Sequence, residues 1–438
     1  MNEESRSPSR PDPPARSAWP FPFADPAAGR LGRRAWLGLA ATFLAIHFAT
    51  LLVATWSGNF DFAPNKDHVH VMREILERGY PTLAIWPPLY GYYMALTWHL
   101  TSALGLPFWA GKLLLDPLPF VASGLLSVRL GARLTRNRLL AAAAGLGMTG
   151  APIFALASAE GLAVLVFQPF FLAALLVLVA ELQREGGPRP GGLLAAGAFL
   201  GVATLVRANP QFLLVALAPV VWLASRRRGA RRPAAAALAA AALAAAAQAA
   251  VLLPWSLVQR DSGESGALAA PVFYVSFYNG VSRQEGNRIA EALRREEEPP
   301  DASFRGLVAF HLRWAVDDPV ALADLYARRL LRAWYLSSSG RWDRWIVALH
   351  APLWALAIAG LAVWARRARA DPALWLVAAV VLYMWLVSAL ASGLARYSAP
   401  LYGLIGLLAA VPLVAAAQRS QLDRSRPRSP STRRRSSV

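Results

Sequence analysis

The sequence predicts an all-α polytopic membrane protein, and three observations support this fold class. The 438 residues are 56% hydrophobic but only 16% charged, whereas a water-soluble globular protein carries more charge on its surface. The mean hydropathy of the chain is +0.37. Apolar runs of about 20 residues, the length with which a helix crosses a bilayer, recur from one end of the sequence to the other.

The charge and the cysteine content narrow the class of protein further. The formal net charge of +19 would by itself suit a nucleic-acid-binding protein. However, the arginines stand in short clusters between apolar runs and at both termini, where the positive-inside rule puts them in the cytoplasm. We therefore expect no nucleic-acid partner. The chain contains no cysteine, which excludes disulfides, zinc–thiolate sites and thiol nucleophiles.

The first part of the chain divides into a polar leader and the start of a membrane domain. Residues 1–34 are rich in Ser, Pro and Arg without apolar periodicity, so we expect a disordered cytoplasmic N-terminus. The membrane-embedded domain is predicted over 35–418, and its first span, 35–56, runs outward. We expect 57–86 to form the first outer loop, with an interfacial amphipathic helix over 67–79.

The remaining apolar segments predict the rest of the helical bundle. Arginine clusters indicate which segment ends are cytoplasmic. If every apolar segment crossed the bilayer, these ends could not all be cytoplasmic, so one segment is not a full crossing. We interpret 86–104, which begins with two prolines, as re-entrant or interfacial, and expect about 10–11 transmembrane helices in all. The segments are 86–104, 108–131, 138–157, 161–180, 192–206, 210–225, 234–254, 345–364, 372–390 and 398–417.

Two polar regions complete this organisation. Residues 256–344 form a large outer loop in which apolar residues recur at helical spacing over 304–315 and again over 320–335. Residues 419–438 are a basic Ser/Arg/Pro tail, which we expect to be disordered and cytoplasmic. Both termini are therefore predicted on the cytoplasmic side of the membrane.

The first outer loop contains the most informative polar cluster. Asn65-Lys66-Asp67-His68 follows the first span, and Trp86-Pro87-Pro88-Leu89-Tyr90 comes about twenty residues after Asp67. A carboxylate at the bilayer surface can act as a general base or as a metal ligand. Asp67 can equally be a helix cap, and position alone leaves both roles open. An interfacial aromatic belt explains Trp86 and Tyr90 well but explains the two prolines poorly.

Other polar residues fall on the same predicted side of the membrane. Glu160 is a lone acid between two apolar spans, and it is either functional or at a loop tip in water. Arg207-Ala208-Asn209-Pro210 breaks two short apolar segments at an outer turn. Arg207 can bind a phosphate or carboxylate in a bidentate manner, or it can snorkel to the surface. Arg260 follows Pro254-Trp255, and Arg396-Tyr397 precedes Pro400.

The order and the sidedness of these motifs resemble the integral membrane glycosyltransferases of the GT-C superfamily. The closest similarity is to bacterial members related to protein mannosyltransferases and aminoarabinose transferases, over roughly residues 35–417. The resemblance implies a GT-C-type bundle with extracytoplasmic juxtamembrane helices. The motifs are Asp67, Pro87-Pro88-Leu89-Tyr90, Ser158-Ala159-Glu160, Val206-Arg207-Ala208-Asn209-Pro210, Pro254-Trp255 with Arg260, and Arg396-Tyr397-Ser398-Ala399-Pro400.

This resemblance assigns roles to individual residues. It implies that Asp67 is the catalytic base, and that the matched motif residues bind substrate. Many members follow the Asp with Glu and with a Tyr a few residues on, whereas His68 and Val71 stand here. That departure favours a single-base mechanism over a two-carboxylate, metal-assisted one. No cofactor is certain from the sequence, and a divalent metal stays an open alternative. The implied substrate-binding residues are His68, Tyr90, Glu160, Arg207, Asn209, Arg260, Arg396 and Tyr397.

The resemblance also implies the reaction and its partners. A sugar would move from a polyprenyl-phosphate donor to a hydroxyl of a glycan, lipid or protein acceptor, at the outer face of a bacterial inner membrane. A transporter or lipid flippase is the main rival, because it shares the spans and the intramembrane charges. A non-catalytic scaffold and a polysaccharide polymerase or ligase are further rivals. The clustering of polar candidates on one side favours the transferase over a transport path.

Overall fold

A computed structural model describes most of the chain. The described residues are 31–56, 66–81, 86–151, 154, 162–184, 187–261, 289, 304–334, 343–369, 371–391 and 398–425. These ranges contain fifteen α-helices and no β-strand. The predicted disordered N-terminus falls almost entirely outside them, as do the part of the C-terminal tail after residue 425 and much of the large outer loop.

The fifteen helices follow one another with short connections in most of the chain. In the first part they are α1 (Arg33–Trp56), α2 (Lys66–Arg78), α3 (Pro88–Ala103), α4 (Phe108–Leu115), α5 (Pro117–Thr135), α6 (Arg138–Thr149) and α7 (Val164–Leu182). In the second part they are α8 (Pro190–Val206), α9 (Leu213–Arg227), α10 (Pro233–Asp261), α11 (Phe304–Asp317), α12 (Pro319–Arg332), α13 (Asp343–Ala368), α14 (Pro372–Ala391) and α15 (Tyr402–Ser425).

Within the described ranges, seven segments are long and apolar enough to cross a membrane. They are Arg33–Trp56, Phe108–Thr135, Val164–Leu182, Pro233–Val258, Asp343–Ala368, Pro372–Leu390 and Ala399–Ser420. α6 and α8 are shorter apolar helices. α3 has only 16 residues, about 24 Å at 1.5 Å per residue, which is shorter than the roughly 30 Å of a bilayer core. The interpretation of 86–104 as re-entrant or interfacial stays a prediction.

Two differences from the predicted extents have a clear cause in the sequence. The predicted span 108–131 is divided at Asp116-Pro117 into α4 and α5, because proline has no N–H for the helical ladder and its ring crowds the preceding turn. α15 continues to Ser425, beyond the predicted start of the tail at 419, since no proline or glycine interrupts that stretch.

Glycine and alanine form the closest helix contacts of the bundle. Gly147 of α6 lies against Gly406 of α15, where an added Cβ would come within 2.7 Å of the opposite Cα. A Cβ on Gly197 of α8 would overlap the carbonyl of Ala244 in α10. Lipid tails are as apolar as leucine, so membrane helices associate largely through close packing of such small residues. The backbone approach therefore depends on these glycines.

The contacts between helices also fix their relative directions. α1 runs antiparallel to α5, because Leu113 packs near Leu51 whereas Phe120 packs against His47. α5 is parallel to α7, since Gln183 Nε2 donates to the Arg133 carbonyl and both residues end their helices. α7 and α8 form an antiparallel hairpin. The C-terminal ends of α1 and α8 therefore lie at the same end of the bundle, which we call the motif end.

Candidate active site at the motif end

Helix α2 begins with the polar cluster of the first outer loop. Asp67 lies in the first turn of α2, where a negative charge is favoured by the helix dipole. The Asp67 side chain is outside the described part of the structure, but its neighbour His68 is buried. The His68 ring contacts Trp86, with 5.4 Å between ring centroids, and Tyr90 edge-on at 4.8 Å. Three of the predicted motif residues are thus brought together.

The Pro-Pro motif sets the start of the helix on which α2 rests. Pro87 is the N-cap of α3 and Pro88 its first residue, a position where the missing N–H has no consequence. Gly91 then lies beneath Val71 and Ile75 of α2, and a Cβ there would meet the Val71 side chain at 2.5 Å. Gly79, with φ +83°, ends α2 and accepts a 3.2 Å hydrogen bond from the Tyr92 hydroxyl.

A buried polar pair beneath α3 is missing from the sequence-based prediction. The Tyr93 hydroxyl donates a 2.7 Å hydrogen bond to Asp116 Oδ1, and Asp116 is 4% exposed. Lys112 is also buried, one helical turn before this carboxylate. Burial, reinforced by the negative charge of Asp116, raises the pKa of Tyr90 and Tyr93 well above the usual range. Lys112 and Asp116 interrupt the apolar run 108–131. This interruption was the sequence signal that could have identified the Tyr93–Asp116 pair.

The predicted arginine turn lies between α8 and α9. Arg207 is half-buried and has extended backbone angles, φ −151° and ψ 129°, which end α8. Asn209 precedes a proline, and this disfavours continuation of the helix. The Asn209 carbonyl accepts a 2.7 Å hydrogen bond from the Tyr383 hydroxyl, which in turn accepts one from the Phe212 N–H at 3.1 Å. The turn is therefore held against the middle of α14.

This turn is recessed below the ends of the neighbouring helices. α14 continues from Tyr383 to Ala391, which at 1.5 Å per residue is about 12 Å beyond the turn. On the other side, Leu205 packs beside Trp255, and α10 extends about 9 Å further to Asp261. Arg207 consequently lies below the ends of the two longer helices beside its turn, α14 and α10.

Arg260 ends the helix that packs beside the arginine turn. α8 and α10 are parallel, since Gly197 faces Ala244 and Gly201 faces Val251 further along both helices. Arg260, near the C-terminus of α10, therefore lies at the motif end above the level of Arg207. Its side chain is outside the described part of the structure.

The C-terminal turn of α12 contacts α14 and the residue after the predicted Arg-Tyr motif. Arg329 Nη1 donates to the Leu390 carbonyl at 3.3 Å, and Trp385 Nε1 donates to the Leu330 carbonyl at 2.8 Å. Ser398 Oγ donates to the Ala333 carbonyl at 2.7 Å. Residues 390 and 398 flank Arg396 and Tyr397, so this turn holds both sides of the motif segment.

Arg329 itself is a functional candidate that the sequence analysis missed. Its side chain is fully buried and lies over the Tyr326 ring, with 6.0 Å between the guanidinium carbon and the ring centroid. Burial lowers the pKa of Arg329 to about 10, so the guanidinium remains charged at neutral pH. Arg328, Arg329 and Arg332 of α12 look alike in sequence, and only Arg329 is buried.

The other predicted residues fall outside the described ranges. Glu160, Arg396 and Tyr397 belong to the undescribed part, so their roles stay predictions. In the part of the chain that the structure describes, no three His, Asp or Glu side chains converge as metal ligands. The described donors therefore do not form a metal site, and the chemistry below is derived from the protein's own groups.

Comparison with known proteins supports the fold. No protein-family model matches the chain, and no curated protein does. Among solved structures, the chain is similar to the crystal structure of the Archaeoglobus fulgidus oligosaccharyltransferase tethered to an acceptor peptide containing the NVT sequon. The TM-score is 0.55 at 13% sequence identity, over 90% of this chain. The predicted all-α polytopic membrane fold of the GT-C type is confirmed.

The two chains differ greatly in length. The match covers 51% of the oligosaccharyltransferase chain, so this protein spans about half the length of the structure it resembles. The protein is an integral, multi-pass membrane protein with a helical fold shared with that enzyme. At 13% identity the similarity defines the fold, and the chemistry has to be argued from the residues at the motif end.

Proposed function

We propose that the protein is a membrane glycosyltransferase that uses a sugar carried on polyprenyl phosphate. One observation carries the proposal most strongly. The recessed Arg207 turn and the end of α10 with Arg260 lie at the motif end of the bundle, where α1 also ends before the chain continues to the helix of Asp67. A transport path would need polar groups across the depth of the bundle, whereas these candidates share one end.

The reaction is a displacement at the anomeric carbon of the donor sugar. An acceptor hydroxyl attacks that carbon while Asp67 takes the hydroxyl proton, and the bond from the anomeric carbon to the phosphate oxygen breaks. The polyprenyl phosphate leaves with the bonding electrons. General-base assistance of this type contributes about 10²–10⁴ in rate. The product is a hexose or pentose joined to the acceptor oxygen.

The arginines stabilise the leaving group in this scheme. Negative charge grows on the lipid phosphate as the glycosidic bond breaks, and a cation fixed in advance at that position lowers the barrier. Arg207 is suited to this role because its turn is recessed among longer helices, where a guanidinium meets a phosphate at low dielectric. Arg260 and Arg396 are proposed to assist from the surrounding helix ends, with Asn209, Tyr397 and Glu160 as further substrate contacts.

The location of the reaction follows from the arginine clusters. We place the motif end on the extracytoplasmic face of a bacterial inner membrane, with both termini in the cytoplasm. A polyprenyl donor would approach from the bilayer with its tail in lipid and its head at the recessed Arg207 turn. His68 and Tyr90 are proposed to line the acceptor or sugar side, next to Asp67. The acceptor is a hydroxyl of a glycan, a lipid or a protein.

A transfer assay on membranes tests the proposal. Membranes with the protein are incubated with radiolabelled polyprenyl-phosphate sugars, and label is followed from the donor into other lipids, glycans and proteins. Asp67→Asn is the test variant and Asp61→Asn, in the same loop, is its matched control. We expect Asp67→Asn to lose at least about 10²-fold in rate and Asp61→Asn to stay within about twofold.

Two results would contradict the proposal. Normal transfer by well-expressed Asp67→Asn would exclude this residue as the base. Uptake or flipping of a labelled lipid by the parent protein, with no transfer of any labelled sugar, would favour the transporter reading instead.

A further inference from the structure

Asp116 is a buried acid within a membrane span, and the reaction above does not use it. It follows α4 and packs level with residues 47–51 of α1, about 8–14 Å below the end of that helix at the rise of 1.5 Å per residue. An ionisable group at such depth is expensive and marks a functional element by default. Its hydrogen-bond donor is Tyr93, and its nearest opposite charge is Lys112.

A continuous series of contacts leads from this carboxylate to the helix of Asp67. Tyr93 stacks on Tyr90, with 6.1 Å between ring centroids and an angle of 17° between the ring planes. Tyr90 meets the buried His68 ring edge-on at 4.8 Å. His68 directly follows Asp67 in α2. Asp116, Tyr90 and His68 are buried and Tyr93 is partly buried, so movement at one end has little free volume to absorb it.

Among the described residues α2 packs mainly on α3, so its position depends on this series. It is short, strongly polar and amphipathic, and its partner in the described structure is α3. α3 in turn is held to the membrane bundle by α4, by α8 and by the Tyr93–Asp116 hydrogen bond. A charged acceptor makes this bond roughly twice as strong as a neutral one.

We infer that Asp116 is a positioning residue of the proposed transferase, which sets the place of Asp67 through Tyr93, Tyr90 and His68. This inference rests on the proposed function. The Asp116 carboxyl lies one helical turn after the buried Lys112 and accepts the Tyr93 hydroxyl bond. Loss of the bond removes one of the attachments that hold α3 to the bundle, and we expect α3 to shift and α2 to move with it. A shift of about 1 Å at a reacting group lowers turnover by up to about 10²-fold.

The absence of cysteine allows a direct measurement of this position. Spin labels are attached to Arg73→Cys on the exposed face of α2 and Leu118→Cys on the lipid-facing side of α5, in protein reconstituted into nanodiscs. Electron–electron distances are then compared in Asp116→Asn, Tyr93→Phe and Asp116→Glu. Tyr92→Phe is the matched control, because it removes a neighbouring hydroxyl that bonds the Gly79 carbonyl on the exposed side.

We expect Asp116→Asn and Tyr93→Phe to shift or broaden the label distance and to lower kcat about tenfold or more. The donor KM should stay within about twofold, because the arginine turn is unaffected. Asp116→Glu should recover part of both readouts, and Tyr92→Phe should resemble the parent. The series is required to remain monodisperse and to keep its melting temperature within a few degrees, which separates displacement from unfolding.

The two readouts distinguish failure of this inference from failure of the proposed function. Unchanged distances in folded Asp116→Asn and Tyr93→Phe would overturn the positioning role, whatever the activity. Changed distances with undiminished transfer would also overturn it. Changed distances in a protein that transfers no sugar would leave the coupling of Asp116 to α2 intact and reject the transferase. If Tyr92→Phe changed the label distance and kcat as much as Asp116→Asn, the effect would be a general loosening of α3 and not a specific role of Asp116.

Discussion

The motif end has two sides that are built from different chemistry. On the carboxylate side, formed by α2, α3, α4 and α5, aromatic rings separate Asp67 from the buried Asp116. On the arginine side, formed by α8, α9, α10, α12 and α14, Arg207 ends α8, and Arg329 donates to the Leu390 carbonyl near the end of α14. The first side contains carboxylates among aromatic rings, and the second contains arginines beside backbone carbonyls.

This contrast matches the two halves of the proposed displacement. Taking a proton from the acceptor needs a carboxylate, and the aromatic rings of His68 and Tyr90 on the same side provide a low dielectric. Supporting a leaving phosphate needs fixed positive charge, which arginine supplies over a broad pH range. The two functions require opposite fields, so their separation onto different helices avoids mutual neutralisation. The predictions below test whether the two sides are as different as the contacts indicate.

The largest effect is expected from Arg207 on the arginine side. Arg207→Met should lower kcat/KM for the lipid-linked sugar by about 10²-fold, because the charge opposite the leaving phosphate is removed. Arg207→Lys should recover part of the rate, since lysine keeps the charge but lacks the planar bidentate fork. The initial rate of label transfer measures both. Equal activity of Arg207→Met and the parent would remove this turn from the active site.

A smaller effect is expected from Arg329, and its neighbour Arg328 provides a matched control. Arg329→Met removes the bond to the Leu390 carbonyl and the contact with Tyr326, at about 1–3 kcal/mol of unfolding free energy. Arg328 forms an exposed pair with Asp324 at 2.7 Å, so Arg328→Met should change stability by about 0.5 kcal/mol or less.

Thermal unfolding and transfer assays of this pair measure how strictly the arginine side is ordered. We expect Arg329→Met to lower the melting temperature by several degrees and transfer about tenfold, since the residues that flank Arg396 lose a support. If the two variants behave alike, the buried guanidinium has no special role and the arginine side is defined by Arg207 alone.

The smallest effect is expected from a cross-link within the carboxylate side. A Cβ on Gly91 would lie 3.3 Å from Val71 Cβ, close to the 3.5–4.5 Å typical of disulfides. Val71→Cys also removes the methyl that the new Cβ would meet. The double variant Val71→Cys/Gly91→Cys should therefore oxidise readily and raise the melting temperature by a few degrees.

The single variant sharpens the interpretation of that cross-link. Gly91→Cys with Val71 retained should lower the melting temperature, because the new Cβ overlaps the valine side chain. A double variant that fails to oxidise, as followed by thiol labelling, would show that α2 does not rest on α3 as described. The carboxylate side would then lack the packing from which the role of Asp116 is argued.

Whether a candidate site residue could be predicted from the sequence depended on its surroundings in the fold. Asp67, Tyr90 and Arg207 could be proposed from sequence because each is a polar or proline-linked interruption of an apolar pattern, and such interruptions are visible in the sequence itself. Asp116 and Lys112 also interrupt an apolar run, yet only the fold shows that Tyr93 reaches the carboxylate from another helix. Arg329 was missed because the arginines of α12 have the same pattern in sequence, and burial by α14 is a property of the assembled bundle.

The amino-acid sequence by itself determined that the chain is a bundle of apolar helices, where most of them begin and end, and which residues break the apolar pattern. These properties depend on local composition, on proline and glycine, and on the cost of placing charge in a bilayer. Tertiary structure alone decided that α8 and α10 run parallel and that the Arg207 turn is recessed. It also decided that Asp116 meets Tyr93, because helix pairing depends on small residues and close contacts that are distant along the chain.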